Sequence, residues 1–296
     1  MTPGARPSSA NAGESSFGYH RLATLSLCER RYAFRYGLRF EPHRTADAPA
    51  LGSLLHIAAM HHYRAAAGLE AHDPVTAMRE APARIVHQYA RALEIWPRYV
   101  EWARTEDNFR VLDVEREYEA TIQDRRITSR LDLVVQVGAK VRVIDHKSTG
   151  GQLRYVASEY ADSGQMCVEE ALGEAVLPAM YGLEWGGLFI TAISTSGAEP
   201  VALRSRVSVK REWRDAVLAS LGPMLQHAAD LEAQPGWGSM GSAFQRAVSA
   251  EACRDRWGKC PYFDLCREGP SARNSAAFPF DRAIGIDTTL REGTGR

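Results

Sequence analysis

The residues best placed to do chemistry lie in one stretch. It runs Ser129-Arg130-Leu131-Asp132-Leu133-Val134-Val135-Gln136-Val137, then Gly138-Ala139, then Lys140-Val141-Arg142-Val143-Ile144-Asp145-His146-Lys147. Two apolar runs flanking a two-residue loop with glycine predict a β-hairpin. With Gly138 and Ala139 as the turn, Val137 faces Lys140, Asp132 faces Asp145 and Arg130 faces Lys147. Directly opposed side chains stand roughly 5 Å apart on one face of a sheet. Two carboxylates so close repel unless a cation lies between them. Lys147 shares the face of Asp145 because strand side chains alternate, and His146 points the other way. Two carboxylates and a lysine on one strand pair form a divalent-metal site with an electrophilic neighbour, a set suited to cleaving phosphodiesters.

A second constellation is built from cysteine. Cys253, Cys260 and Cys266 cluster with gaps of six and five residues, Cys28 lies near the amino terminus, and Cys167 stands alone. In a chain without an export signal, clustered thiols favour metal over disulfides. Zinc sites usually use close C-x2-4-C pairs, which this cluster lacks. The wider spacing suits an iron–sulfur cluster, whose usual ligands are thiolates; zinc and three unrelated thiols stay open as alternatives. Cys167 reads as a small buried hydrophobe.

A third signal is Leu51-Gly52-Ser53-Leu54-Leu55-His56, a helix start with a histidine four residues after a glycine. With the hairpin, this pattern resembles the PD-(D/E)XK nuclease superfamily, in its RecB/AddB-like branch that includes CRISPR-adaptation nucleases and phage exonucleases. His56 matches the helical GxxxH histidine, Asp132 the aspartate of the second strand, and Asp145-His146-Lys147 the (D/E)xK triplet. Cys28 with Cys253, Cys260 and Cys266 matches the one-plus-three ligand layout of members carrying a 4Fe-4S cluster. The segment Ser26-Leu27-Cys28-Glu29-Arg30-Arg31-Tyr32 is similar to theirs too. Gln165 fits the glutamine of a QxxxY motif, but Glu169 stands where that motif has tyrosine.

The resemblance covers most of residues 17–268 and implies a restriction-endonuclease-like α/β fold, a mixed β-sheet core flanked by helices. It implies Mg2+ or Mn2+ bound by His56, Asp132, Asp145 and the backbone carbonyl of His146. Lys147 would position the attacking water or stabilise developing charge, with Gln165 beside it. Glu117 reads as a water- or second-metal-orienting group, or as a solvated strand edge. The expected activity is a metal-dependent deoxyribonuclease, with exonuclease favoured, in recombination, repair or phage DNA processing, with DNA as partner and a helicase or recombination protein as a further one. The other class in view is a non-catalytic DNA-binding module that keeps the fold; the intact His56, Asp132, Asp145 and Lys147 set argues against it.

The rest of the chain must position these groups. With 296 residues, 45% hydrophobic, it holds one sizeable α/β core with a helical elaboration, or two small domains. No stretch approaches the ~20 apolar residues of a membrane helix. Residues 1–16 are rich in Ser, Ala, Gly and Pro without an apolar core, which predicts a disordered leader and a cytoplasmic protein. A net charge of zero, from 36 basic and 36 acidic residues, argues against general DNA coating. Arg31, Arg35 and Arg39, spaced at helical intervals, read as a phosphate-contacting face or a solvated one.

Pattern predicts a helix over 17–40 and a helical insertion over 53–105 divided by Pro74 and Pro97, in which Trp96, Tyr99 and Trp102 pack helices together. A strand over 111–120 is expected to put Leu112, Val114 and Tyr118 on one face, with Asp113, Glu115, Glu117 and Glu119 on the other. After the hairpin come a helix over 159–176, strands over 187–193 and 201–209, and a helix over 211–233. The nuclease domain is expected to span 17–268, with 253–266 clipped to Cys28 by the cluster, and 269–296 to form a loosely ordered tail.

Overall fold

The structure, a computed structural model, describes residues 18–40, 45–122, 125–197, 199–234, 237, 253–255 and 258–268. The leader and the tail lie outside them. Contacts divide the chain into two compact units, residues 1–26 with 44–231, and residues 27–43 with 232–296.

The larger unit opens with α1 (Tyr19–Leu27), whose last residue passes into the second unit. A helical layer follows: α3 (Asp47–Ala66), α4 (Pro74–Arg79), α5 (Ala83–Val86) and α6 (Tyr89–Glu106). Local chemistry sets these starts. Asp73 caps α4 by accepting from Thr76 N at 2.8 Å, with Pro74 in the first turn, where its missing N–H costs nothing.

Three long strands come next, β1 (Arg110–Ile122), β2 (Arg125–Val137) and β3 (Lys140–Thr149). Then α7 (Leu153–Ala161) and α8 (Gly164–Tyr181) cross over to β4 (Glu184–Ser194), and β5 (Ala202–Arg206) precedes α9 (Arg211–Glu232). The sheet order is β1-β2-β3-β4-β5. Only β3 and β4 run parallel, joined by the helical crossover that a parallel pair requires. The expected helix over 159–176 is two helices, because the Ser163 hydroxyl accepts from Met166 N at 3.3 Å and starts α8 afresh.

Helices cover both faces of the sheet. Leu51, Leu54, Leu55 and Ala58 of α3, with Ile95, Trp96 and Tyr99 of α6, pack on Val114, Leu133, Val135 and Ile144. Val156 of α7, with Met166, Leu172 and Leu177 of α8, packs on Tyr118, Leu131, Val134, Val143 and Ile190. Trp96, Tyr99 and Trp102 form a run of ring contacts at 5.3 and 5.6 Å, as a packing role requires.

The hairpin has the expected register at its turn, with Val137 opposite Lys140 and Gly138 at φ +58. The β2–β3 ladder ends at Leu133 opposite Ile144, so the expected pairing of Arg130 with Lys147 does not form. Beyond that rung β3 continues against β4, while β2 continues against β1, where Arg130 faces Glu117. The strands part where two opposed carboxylates would otherwise meet. The expected face of β1 is also corrected. Val114 packs under α3 and α6, whereas Leu112 and Tyr118 pack under α8.

The smaller unit brings together residues from both ends of the chain. The expected helix over 17–40 is interrupted at Cys28, whose backbone is extended and whose Sγ accepts from Arg31 N at 3.4 Å to cap α2 (Glu29–Tyr32). A π-helical turn over Ala33–Gly37 follows, and Arg39 sits at φ +53. Arg31, Arg35 and Arg39 therefore do not line one regular helical face. Phe34, Leu38 and Phe40 pack with Tyr262 and Leu265, and half-buried Cys260 and Cys266 lie against them. Strands β6 (Arg254–Asp255) and β7 (Gly258–Lys259) pair ahead of α10 (Phe263–Glu268).

Candidate active site

The site forms beneath α3, where β2 parts from β3 and the β1–β2 ladder skips one rung. His56 arrives because Gly52, one turn earlier, lets α3 lie against β3; a Cβ there would stand 2.8 Å from Ser148 Oγ. His56 Nε2 lies 2.5 Å from the His146 carbonyl oxygen, and its Nδ1 lies 3.4 Å from Asp132 Oδ2. The Asp132 carboxylate accepts from His146 N at 2.8 Å, taking an N–H that the ended ladder leaves free. Burial works to raise the Asp132 pKa, but His56 and the contacts with His146 outweigh it and hold it below the usual carboxylate range.

Asp145 and Lys147 project to the α8 side. Lys147 Nζ donates to Asp145 Oδ1 at 2.9 Å and lies 2.8 Å from Oδ2. The Tyr160 ring lies 5.2 Å from the same ammonium. Gln165, in the first turn of α8, donates from Nε2 to Asp145 Oδ1 at 3.1 Å and to Glu169 Oε1 at 2.8 Å. Its Oε1 accepts from Lys147 Nζ at 3.4 Å. Burial opposes the Lys147 charge, but Asp145, Asp132 and Glu169 overcome it and raise its pKa. Burial raises Asp145, as does the charge of Asp132, with Lys147 offsetting part of the effect.

His146 serves through its backbone while its ring points to the α3–α6 side. The ring is buried, Nε2 lies 3.0 Å from Tyr99 Oη, Tyr99 Oη lies 2.8 Å from Tyr63 Oη, and Tyr63 donates to Asp107 Oδ2 at 2.8 Å. Burial lowers the His146 pKa, keeping the ring neutral. His146 Nδ1 stands 3.7 Å from Asp132 Oδ2.

Pattern reading missed Glu115. Among the described residues, one group of three side chains has ligand atoms all within 4.8 Å of one another: His56, Glu115 and Asp132. Glu115 has φ +51, the left-handed region that a non-glycine residue enters only at a cost. Val114 pairs with Leu133 and Arg116 with Leu131, while Glu115 and Asp132 between them pair with nothing in the ladder. Both strands switch faces at this rung, since Leu131 packs under α8 and Leu133 under α3. Burial and the charge of Asp132 push the Glu115 pKa well up. The signal in the sequence was the register itself: Glu115 lies opposite Asp132 once β1 is aligned on β2. Glu117 faces Arg130 instead and is absent from the close group.

Oxygen donors from Asp132, Glu115 and a main-chain carbonyl, with one imidazole, fit a hard divalent ion such as Mg2+ or Mn2+. Asp145 lies beside this donor set, with its carboxylate turned to Lys147. A family model for the PD-(D/E)XK nuclease superfamily matches residues 16–267. The chain belongs to the PD-(D/E)XK nuclease superfamily.

Membership makes this PD-(D/E)XK protein a hydrolase of the nuclease class, one that would act on DNA, and such nucleases typically use Mg2+ or Mn2+. No curated protein matches the nuclease by sequence. Among solved structures it is similar to a protein from Eubacterium rectale provisionally named an exonuclease, at 11% identity over 79% of this chain and 91% of that one, with a TM-score of 0.48. It is also similar to a protein designated SSO0001, at 10% identity over 74% of this chain and 84% of that one, with a TM-score of 0.32. No described helix of the nuclease is long and apolar enough to cross a membrane.

Proposed function

We propose that this protein is a metal-dependent deoxyribonuclease of the RecB/AddB-like branch, acting as an exonuclease on DNA ends in recombination, repair or phage DNA processing. The observation that carries this reading is the placing of Lys147 on Asp145, beside the meeting of His56, Asp132 and the His146 carbonyl. His56, Asp132, Asp145, Glu115 and the His146 carbonyl would hold Mg2+ or Mn2+. When bound, such an ion lowers the pKa of a water and polarises the scissile phosphate.

The chain's own residues do the remaining work. Asp132, ionised at any working pH, keeps a fixed negative charge for the ion and orients the His146 peptide. Lys147, held protonated, meets the phosphate oxygen on which charge builds and orients the attacking water. Gln165 keeps Lys147 and Asp145 aligned from α8.

The same reading places a 4Fe-4S cluster on Cys28, Cys253, Cys260 and Cys266 of the smaller unit. Cys260 N donates to Cys253 O at 2.9 Å, and burial raises the Cys260 thiol pKa, with Cys28 and Cys253 adding to the rise. The six- and five-residue gaps among Cys253, Cys260 and Cys266, with no close C-x2-4-C pair, favour a cluster of several irons over zinc.

Linear and covalently closed circular DNA, end-labelled where ends exist, separate the modes when incubated with Mn2+. An exonuclease degrades the linear form from its ends and leaves the circle intact. Cutting of the circle would overturn the exonuclease assignment, and a colourless protein carrying zinc would overturn the cluster.

A further inference from the structure

Helix α8 carries a buried acid beyond Gln165 that touches neither Lys147 nor Asp145 by a hydrogen bond. Glu169 is 3% exposed, one turn beyond Gln165, and its Oε2 is buried without a hydrogen-bond partner. A carboxyl group in such a place costs stability, and an apolar residue of similar volume would cost less. Among the described residues its one hydrogen bond is the 2.8 Å contact from Gln165 Nε2.

That bond, with those to Asp145 and Lys147, fixes which way round the Gln165 amide lies. A glutamine side chain has two N–H donors at one end and an acceptor oxygen at the other, and a half-turn exchanges them. With Glu169 and Asp145 each accepting one N–H, both donors are used and Oε1 is left facing Lys147. In the opposite setting the amide would present N–H groups to the lysine ammonium and its oxygen to two acids. Without Glu169, only Asp145 and the longer contact to Lys147 hold the amide, and one N–H donor is left without a partner.

We propose that Glu169 is a positioning residue for the Lys147–Asp145 pair, acting through the Gln165 amide. The inference rests on the reading of Lys147 as the group that meets the phosphate. Glu169→Leu keeps the volume and removes the acceptor. Glu169→Gln keeps an acceptor oxygen at nearly the same place and volume.

The experiment measures Mn2+-dependent DNA cleavage, Mn2+ affinity by electron paramagnetic resonance, and thermal unfolding for both variants and for Gln165→Ala. Glu169→Leu is expected to lower kcat about tenfold, in the range of lost outer partners, with KM and Mn2+ affinity unchanged and melting no lower than wild type. Glu169→Gln is expected to restore kcat. In the Gln165→Ala background Glu169→Leu should have no further effect, because its route is gone. Wild-type kcat in Glu169→Leu, or equal losses in the Leu and Gln variants, would overturn the proposal while cleavage by the wild type leaves the nuclease reading standing. A wild-type protein that cleaves no DNA would remove both.

Discussion

Four carboxyl groups, from Glu115, Asp132, Asp145 and Glu169, are set around Lys147 and His56. Among these six side chains Lys147 is the one lysine or arginine, so the group is short of cations. Buried charge without a partner is costly, and a divalent ion offsets it. His146 shows how the surrounding residues hold the donors still. Its N–H fixes Asp132, its carbonyl faces His56, and its ring is held by Tyr99. Tyr99→Phe removes one hydroxyl from the helical layer and nothing from the donors. Mn2+ affinity should fall roughly tenfold as measured by titration under electron paramagnetic resonance; unchanged affinity would show that the ring contact does not steer the site. At this scale the meeting of Asp145 with Lys147 was readable from a period of two along one strand, whereas Gln165 was reached only through the motif it resembles. The role of Glu115 was not readable. No glycine marks its left-handed backbone, so plain alternation placed it on one face with Asp113, Glu117 and Glu119.

The elements show what pairing rules capture and what they miss. The hairpin turn follows from Gly138, and its register from the alternation of Leu133, Val135, Val141 and Val143. The parting of β2 from β3 depends on a carboxylate replacing a ladder bond, a tertiary event with no local signature. The interruption at Cys28 was hidden for a similar reason: a thiol caps α2 where the apolar spacing continues unbroken. Helix α8 is tied to β1 by Asp113, which accepts from Tyr118 at 2.8 Å and also from Tyr181. Burial pushes the Tyr181 phenol up to about 12, with Asp113 adding to it, and burial raises Tyr118 with Tyr181 adding. In the unfolded chain these phenols ionise near pH 10. Above that pH the folded state holds more protons than the unfolded one, so stability falls as pH rises. The contribution is whole below about pH 10 and is lost through the folded value near 12. Denaturant midpoints at rising alkaline pH should drop in the wild type, and less steeply in a Tyr118→Phe, Tyr181→Phe double variant. Parallel slopes would contradict the tie.

On the scale of the whole chain, chemistry divides between the two units, with phosphodiester cleavage proposed in the larger and the cluster in the smaller. The cluster would join Cys28 to cysteines more than two hundred residues later, closing a loop whose entropy falls on the unfolded state. Cys260→Ser should therefore bleach the absorption near 400 nm and lower the melting temperature. A variant with unchanged colour and melting would show that this thiol holds no cluster. The order of helices, paired strands, helix and strands gave away the mixed sheet, since each segment keeps its own period. The decisive measurement is cleavage of end-labelled DNA incubated with Mn2+, comparing wild type with Lys147→Ala, with bound Mn2+ measured in parallel. The wild type is expected to cleave, while Lys147→Ala folds, keeps its colour, still binds Mn2+ and does not cleave. Cleavage by Lys147→Ala at the wild-type rate would contradict this role for Lys147.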